Sequence, residues 1–169
     1  MIIKVSELSE EGVTFQDPSQ FPAPFADASW ALKTFSLHLE PDEPDVLVTG
    51  EIEAIVPVVC SRCLESFPAR VKAAVDLRFV PRPAGAESVE LGADDLDVDF
   101  YANDQLDVSR VLETETSLAL PMKPLCREDC RGLCTVCGGN RNVVACDCPE
   151  RAVDPRLVVL KDLGVRLTR

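Results

Sequence analysis

The placement of eight cysteines constrains this sequence more than any other feature. Only two of them precede residue 120, and the other six lie close together near the C-terminus. Secreted disulfide scaffolds spread their cysteines through a small domain, whereas tight intracellular groups more often bind metal. We therefore expect metal-bound thiolates. The two groups are Cys60 and Cys63, and Cys126, Cys130, Cys134, Cys137, Cys146 and Cys148.

The cysteines divide into four closely spaced pairs, which is enough for two zinc sites. Structural zinc takes four thiolates, and a CxxC turn supplies two of them while its backbone amides point at the sulfurs. We predict one local site from Cys134, Cys137, Cys146 and Cys148, with glycines after Cys137 that permit a positive φ. The second predicted site, Cys60, Cys63, Cys126 and Cys130, would fasten the C-terminal segment to the preceding part of the chain.

The spacing of these cysteines also allows other uses. Six C-terminal cysteines permit several choices of four, and a single site there would leave Cys60 and Cys63 as a free or redox pair. Four thiolates also suit an iron–sulfur cluster. A thioredoxin-like CxxC opens a helix after a strand, but residues 64–68 do not continue as a helix, which disfavours redox catalysis.

The chain length and composition predict one ordinary domain with a small appended module. It has 169 residues, 46% of them hydrophobic and 27% charged, as in soluble globular proteins. We expect a β-rich body over residues 1–120 and a docked cysteine-rich segment over 121–169. Between Pro124 and Asp154 this segment has few large apolar side chains, so it needs cross-links in place of a core.

The predicted fold is α+β, a mainly antiparallel sheet or partial barrel with a few short helices. Apolar and polar residues alternate in 35–39 and 71–80, and residues 46–59 are rich in β-branched side chains. The Cys60–Cys63 pair lies where a hairpin would turn between the last two strands, and Pro57 suggests an edge or bulge. Helical spacing predicts one helix near 107–120, capped by Asp107 or Ser109, and a short one near 156–163.

The charge distribution separates an acidic body from a mildly basic end. Net charge is −12 overall, −15 over residues 1–120 and +3 from residue 121 onward. Any contact with a polyanion is therefore assigned to the C-terminal segment, although two zinc sites of about −2 each would offset its positive charge. The candidate contact residues are Arg127, Arg131, Arg141, Arg151 and Arg156.

The sequence contains no recognisable catalytic motif. It lacks GxSxG, GxxxxGK[ST] and GxGxxG, and its one histidine, His38, lies in an alternating strand far from the cysteines. No apolar run approaches the roughly 18 residues of a membrane span, and residues 1–7 do not resemble a secretory signal. We expect a cytoplasmic protein that is not an enzyme, with no membrane partner and no small-molecule substrate.

Five stretches of the chain form a recognisable pattern: Cys60–Glu65, Glu115–Pro124, Leu125–Asn142, Cys146–Cys148 and Asp154–Leu157. Together they resemble the bacterial YceD family of large ribosomal RNA subunit accumulation proteins. The resemblance is specific over residues 56–80 and 113–163. Thr135 stands where the family commonly has proline, and Arg141 where leucine is common, but neither change removes a possible ligand.

This resemblance implies a non-enzymatic role in the synthesis, processing or accumulation of large-subunit rRNA during ribosome assembly. The partner would be the rRNA or a ribosomal assembly protein. Two alternatives from other classes are a thiol-based redox protein using Cys60 and Cys63, and a metal-handling protein whose zinc is cargo.

Overall fold

The computed structural model of the chain describes residues 1–82 and 98–149. These residues divide into two compact units. The first unit comprises Met1–Val58 and Ser66–Pro124, apart from residues 83–97, and the second comprises Val59–Glu65 and the described residues from Leu125 to Pro149. The sequence analysis places the Cys60–Cys63 turn in the body, whereas contacts group it with the second unit. The helix predicted near 156–163 lies outside the described residues.

The first unit is built on two β-sheets and one helix. The described strands are β1 (Ile2–Lys4), β2 (Val13–Phe15), β3 (Ala31–Asp42), β4 (Asp45–Val59), β5 (Ser66–Pro81), β6 (Val98–Tyr101) and β7 (Gln105–Asp107), and the helix is α1 (Val108–Leu118). Five strands form one sheet with the order β2-β3-β4-β5-β6. A second sheet pairs β1 with β7 in antiparallel orientation. Two 3₁₀ turns, Val5–Glu7 and Pro18–Gln20, follow β1 and β2.

The predicted α+β class holds for the described residues, and their strands form open sheets, not a closed barrel. One correction concerns the sheet: β6 pairs with β5 in parallel, which makes it mixed. A parallel pair needs a long connection, and 16 residues separate Pro81 from Val98. The sequence contains no hairpin signal that would indicate whether β6 runs parallel or antiparallel to β5.

The alternation that predicts β3 places one face of this strand in the core. Phe35, Leu37 and Leu39 of β3 are buried, whereas His38 is half-buried and its Nδ1 lies 2.9 Å from the Thr14 hydroxyl. The pairing of β4 with β3 ends at Ile55, so the β4 residues after Ile55 form no backbone hydrogen bonds with β3. Pro57 therefore costs no ladder hydrogen bond on that side, as the sequence suggests.

Helix α1 follows the predicted boundaries closely. The Asp107 carboxylate accepts a hydrogen bond from the Ser109 backbone N–H at 3.0 Å, so Asp107 is the N-cap. Val108, Val111 and Leu112 of α1 are buried with the sheet residues in one hydrophobic core. None of the described helices has the length and apolarity to cross a membrane.

We predict that Leu112→Ala destabilises the first unit by about 2–5 kcal/mol, because it removes a buried side chain and leaves a cavity. Leu112 is 0% exposed. Leu118 of the same helix is 74% exposed, and Leu118→Ala should change the free energy of unfolding by about 0.5 kcal/mol or less. Urea unfolding of both variants measures the difference, and equal effects would show that α1 does not pack as described.

Candidate metal centre

The second unit lacks a hydrophobic core of the ordinary kind. Four residues with side chains are buried among its described residues, and all four are cysteines: Cys60, Cys63, Cys130 and Cys134. Its valines are on the surface, with Val143 79% and Val144 57% exposed. The free energy that keeps this part of the chain folded must therefore come from a source other than apolar burial.

The structure brings the eight cysteines together in two groups of four. Within each group all sulfur atoms lie within 4.8 Å of one another. We call Cys60, Cys63, Cys126 and Cys130 the inner group, and Cys134, Cys137, Cys146 and Cys148 the outer group. These are the two sets favoured from sequence spacing, and all eight cysteines are free thiols.

The sulfur–sulfur distances in the inner group fit a tetrahedral metal site. The Sγ atoms of Cys60 and Cys130 are 3.8 Å apart, and those of Cys63 and Cys126 are 3.7 Å apart. Four sulfurs at about 2.3 Å from a zinc ion have tetrahedral edges of about 3.8 Å. A disulfide would require about 2.05 Å. The donor set therefore suits Zn²⁺, which prefers a closed four-thiolate shell at structural sites.

The two CxxC turns have the same backbone hydrogen-bond pattern. In the inner turn the Leu64 N–H donates to the Cys60 carbonyl at 3.0 Å, and the Cys60 N–H donates to Glu65 at 2.9 Å. The outer turn repeats both bonds, from Gly138 to Cys134 at 2.9 Å and from Cys134 to Gly139 at 2.8 Å. In each turn the backbone N–H and carbonyl of the first cysteine are therefore both hydrogen-bonded, and its sulfur remains available to bind a metal ion.

These turns also lower the pKa of their first cysteine. The backbone N–H of Cys63 lowers the pKa of the Cys60 thiol to about 6, and the backbone N–H of Cys137 does the same for Cys134, to about 6. Burial raises the pKa of Cys126 to about 12, and the neighbouring Cys137 thiol raises that of Cys148 to about 12. Each group therefore contains a thiol that ionises more easily than a free cysteine and another that ionises less easily, and a bound cation would favour the thiolate form of both.

The residue after each CxxC turn adopts a positive φ. Gly138 has φ +73°, as the glycine-rich sequence predicts, but the equivalent position in the inner turn is Leu64 with φ +60°. A side chain in this region costs about 1–2 kcal/mol. Leu64 is exposed, so its side chain gains little from packing in return.

We predict that Leu64→Gly makes the metal-loaded second unit more stable, by about 1 kcal/mol, because it removes this backbone strain. Gly138→Ala should have the opposite sign and similar size, since a Cβ at that position meets no atom within 4 Å and only the backbone is strained. Competition for zinc with a chromophoric chelator measures both changes. A loss of affinity in Leu64→Gly would contradict the strained conformation at Leu64.

Two residues other than cysteine, Arg62 and Asn142, contact the inner group, and neither is a predicted site residue. The Arg62 guanidinium donates to the carbonyl of Cys130 at 3.0 Å and to that of Glu128 at 3.3 Å. The Asn142 amide donates to the Cys130 sulfur at 3.3 Å. The sequence does show a basic residue, Arg62, inside a CxxC turn and a polar residue, Asn142, between two cysteine pairs. Their positions in the sequence do not reveal that both contact Cys130.

The predicted contact arginines are not all placed together. Arg131 and Arg141 line one groove of about 510 Å³ with Val144, Ala145 and Cys146. Arg127 lines a different groove and forms an ion pair with Asp129 at 3.5 Å. Arg151 and Arg156 lie outside the described residues.

The comparisons with known proteins identify relatives over most of the chain. The family model described as large ribosomal RNA subunit accumulation protein YceD matches residues 48–164. An uncharacterized protein of Mycobacterium bovis is 34% identical, covering 64% of this chain and 51% of the relative. One from Mycobacterium leprae is 31% identical, covering 75% and 57%.

A plant protein is also similar. The Zea mays protein named large ribosomal RNA subunit accumulation protein YCED homolog 1, chloroplastic, is 25% identical, with 62% of this chain and 44% of the relative covered. The chain spans about half the length of the curated relatives it matches. No solved structure matches it. Because the family model covers more than half of the sequence, including all eight cysteines, the chain belongs to the YceD family.

Proposed function

We propose that this protein is a non-enzymatic factor in the biogenesis of the large ribosomal subunit, acting in the cytoplasm and stabilised by two structural zinc ions. The family description supports a role in the accumulation of large-subunit rRNA. The observation that carries the zinc part is the arrangement of all eight cysteines in two groups with coordinating distances. Zinc would be held by the inner and outer groups and would supply the cross-links that a core-poor segment needs.

Both groups use all four thiolates, so a bound ion would have no open position for substrate. Catalytic zinc sites keep such a position and usually include histidine or carboxylate ligands. This favours a structural role for the metal over catalysis. It also favours a structural role over metal delivery, because transfer of a cargo ion would unfold the part of the protein that holds it.

Depletion of the protein tests the biological role. We expect a lower amount of mature large-subunit rRNA relative to small-subunit rRNA. Re-expression of the intact chain should restore the ratio, whereas Cys63→Ser should not. Ser61→Ala in the same turn, an exposed residue that is not a candidate ligand, serves as the matched control and should restore it. An unchanged ratio on depletion would contradict the proposed function.

The charge of the second unit favours a protein as the direct partner. Residues 59–65 and 125–169 contain nine basic and seven acidic residues, which gives a charge of +2 before the cysteines ionise. Eight thiolates with two zinc ions then add about −4. A phosphate backbone is repelled by such a unit and by the chain's net charge of −12. Proteins that themselves bind rRNA are basic and would be attracted.

The exposed surface near the outer group has the composition of a protein interface. Val143 and Val144 are adjacent, and each lines a separate groove, one containing Arg127 and the other Arg131 and Arg141. Backbone N–H groups of both valines donate to the Asn140 carbonyl, at 3.0 and 2.9 Å, which fixes the loop. Exposed apolar side chains next to arginines are typical of protein interfaces, so this surface suits a protein partner with an apolar docking surface.

Binding of the full zinc-loaded chain to purified large-subunit ribosomal proteins, and separately to protein-free large-subunit rRNA, distinguishes the two partner classes. We expect binding to one or more of the proteins that is weakened by Val143→Ser with Val144→Ser. Val136→Ser, another exposed valine that lines neither groove, should have no effect. Tight binding to the rRNA alone, with a steep salt dependence, would overturn the protein assignment and support direct RNA contact.

A further inference from the structure

Asn142 uses every polar group of its side-chain amide to join separate parts of the second unit. Its Nδ2 donates to the Cys130 sulfur of the inner group at 3.3 Å and to the Asn140 Oδ1 at 2.9 Å. Its Oδ1 accepts a hydrogen bond from the Arg131 backbone N–H at 2.8 Å. With two donors and one acceptor occupied, the amide has a single orientation in which it can reach the sulfur.

The position of Asn142 depends on the outer group. Asn142 lies in the segment between Cys137 and Cys146, two members of that group. The segment is held by a bridge between Leu133 and Asn140 and by a hydrogen bond from the Arg141 N–H to the Gly132 carbonyl at 2.9 Å. Because a metal ion in the outer group would fix both ends of this segment, it would also fix the amide on Cys130.

We propose that the inner and outer groups bind metal cooperatively and that Asn142 is the positioning residue that couples them. An ion in the outer group orders residues 138–142 and places the Asn142 N–H on the Cys130 sulfur, where it offsets part of the thiolate charge and orients this ligand. Outer-shell donors of this kind change metal affinity by about 10–100-fold. Linkage is reciprocal, so an ion in the inner group strengthens the outer site by the same factor.

Two other hydrogen bonds join the inner and outer turns, but neither involves a cysteine sulfur. The Leu133 N–H donates to the Arg62 carbonyl at 3.0 Å, and the Asn140 amide donates to the Glu65 carboxylate at 3.3 Å. These contacts align the turns. The Asn142 contact differs from both because it ends on a sulfur atom, so it is the one that changes affinity directly.

Cobalt(II) titration of the full chain in competition with a chelator tests this coupling, since thiolate-bound cobalt has a distinct absorption. The outer group is disabled by Cys137→Ser with Cys148→Ser. We expect the inner group of that variant to bind about 10–100-fold more weakly than in the intact chain. Asn142→Ala should weaken the inner group to a similar extent while a cobalt ion still binds in the outer group, which shows that the segment has folded.

The combination of all three substitutions decides whether the effects share one route. We expect the triple variant to bind metal at the inner group as tightly as the Cys137→Ser with Cys148→Ser variant or the Asn142→Ala variant, because both sets of substitutions remove the same hydrogen bond. Thr135→Ala, at an exposed position of the outer turn that is neither a candidate ligand nor part of either groove, is the control and should leave both affinities unchanged. Additive losses, or an inner affinity that is indifferent to the outer group, would overturn the coupling.

This inference rests on the proposed metal binding, and the same titration separates the two. If two ions bind per chain with independent affinities, only the coupling fails. If the folded chain takes up no cobalt or zinc, the proposed metal role itself fails.

Discussion

Chelation of zinc is expected to unfold the second unit while the first unit stays folded. The reason is the distribution of buried side chains. The first unit contains a continuous core that includes Leu37, Val48, Val56 and Leu112, whereas the buried side chains in the described part of the second unit are cysteines. Structural zinc sites contribute apparent free energies of about 10–16 kcal/mol each, which a segment without an apolar core cannot replace.

Amide hydrogen exchange before and after treatment with a strong chelator measures this result. Protection should be lost in residues 59–65 and 125–149 and retained in the paired parts of β3 and β4. Chelator already saturated with zinc is the control and should change nothing. Retention of protection at Cys130 and Cys134 in metal-free protein would contradict a metal-dependent fold, and loss throughout both units would show that the first unit is not independently stable.

Replacement of one ligand in the inner group should be more damaging than replacement of one in the outer group. The inner group joins segments that are 63 and 70 residues apart in sequence, at Cys63 with Cys126 and at Cys60 with Cys130. It is also mostly buried, whereas Cys137 of the outer group is exposed. Cys63→Ser therefore releases the Cys60–Glu65 turn from the rest of the second unit, but Cys137→Ser opens only a local loop.

We expect Cys137→Ser to keep about one zinc ion per chain and Cys63→Ser to lose order throughout residues 125–149. Native mass spectrometry counts the ions, and hydrogen exchange reports the order. Ser61→Ala, in the same turn as Cys63, should retain both ions. If Cys63→Ser kept a protected second unit with the outer ion in place, the inner group would not be the main cross-link.

The features that follow from local sequence were predictable, and those that depend on distant partners were not. The two CxxC turns, the N-cap at Asp107 and the alternation in β3 are each contained in a few neighbouring residues. The parallel direction of β6 depends on a long connection with no hairpin signal. Leu64 in a left-handed conformation departs from the expected glycine, and only the comparison of the two turns reveals the equivalence.

The residues around the cysteines were harder to predict for a related reason. Arg62 and Asn142 belong to no motif that points to their contacts. Both contact Cys130, which lies 68 residues from Arg62 and 12 residues from Asn142 in sequence. Conversely, the arginines selected from charge alone are divided by the structure, with Arg131 and Arg141 in one groove and Arg127 in another. Composition locates the charged segment, but only the folded backbone determines which side chains share a surface.

Zinc-edge X-ray absorption on the purified full chain, combined with elemental analysis of the same sample, tests the central claim most directly. We predict about two zinc ions per chain, each surrounded by four sulfur atoms at about 2.3 Å. A well-folded protein without metal, or zinc bound mainly through nitrogen or oxygen, would contradict the account that thiolate-bound ions hold the second unit together.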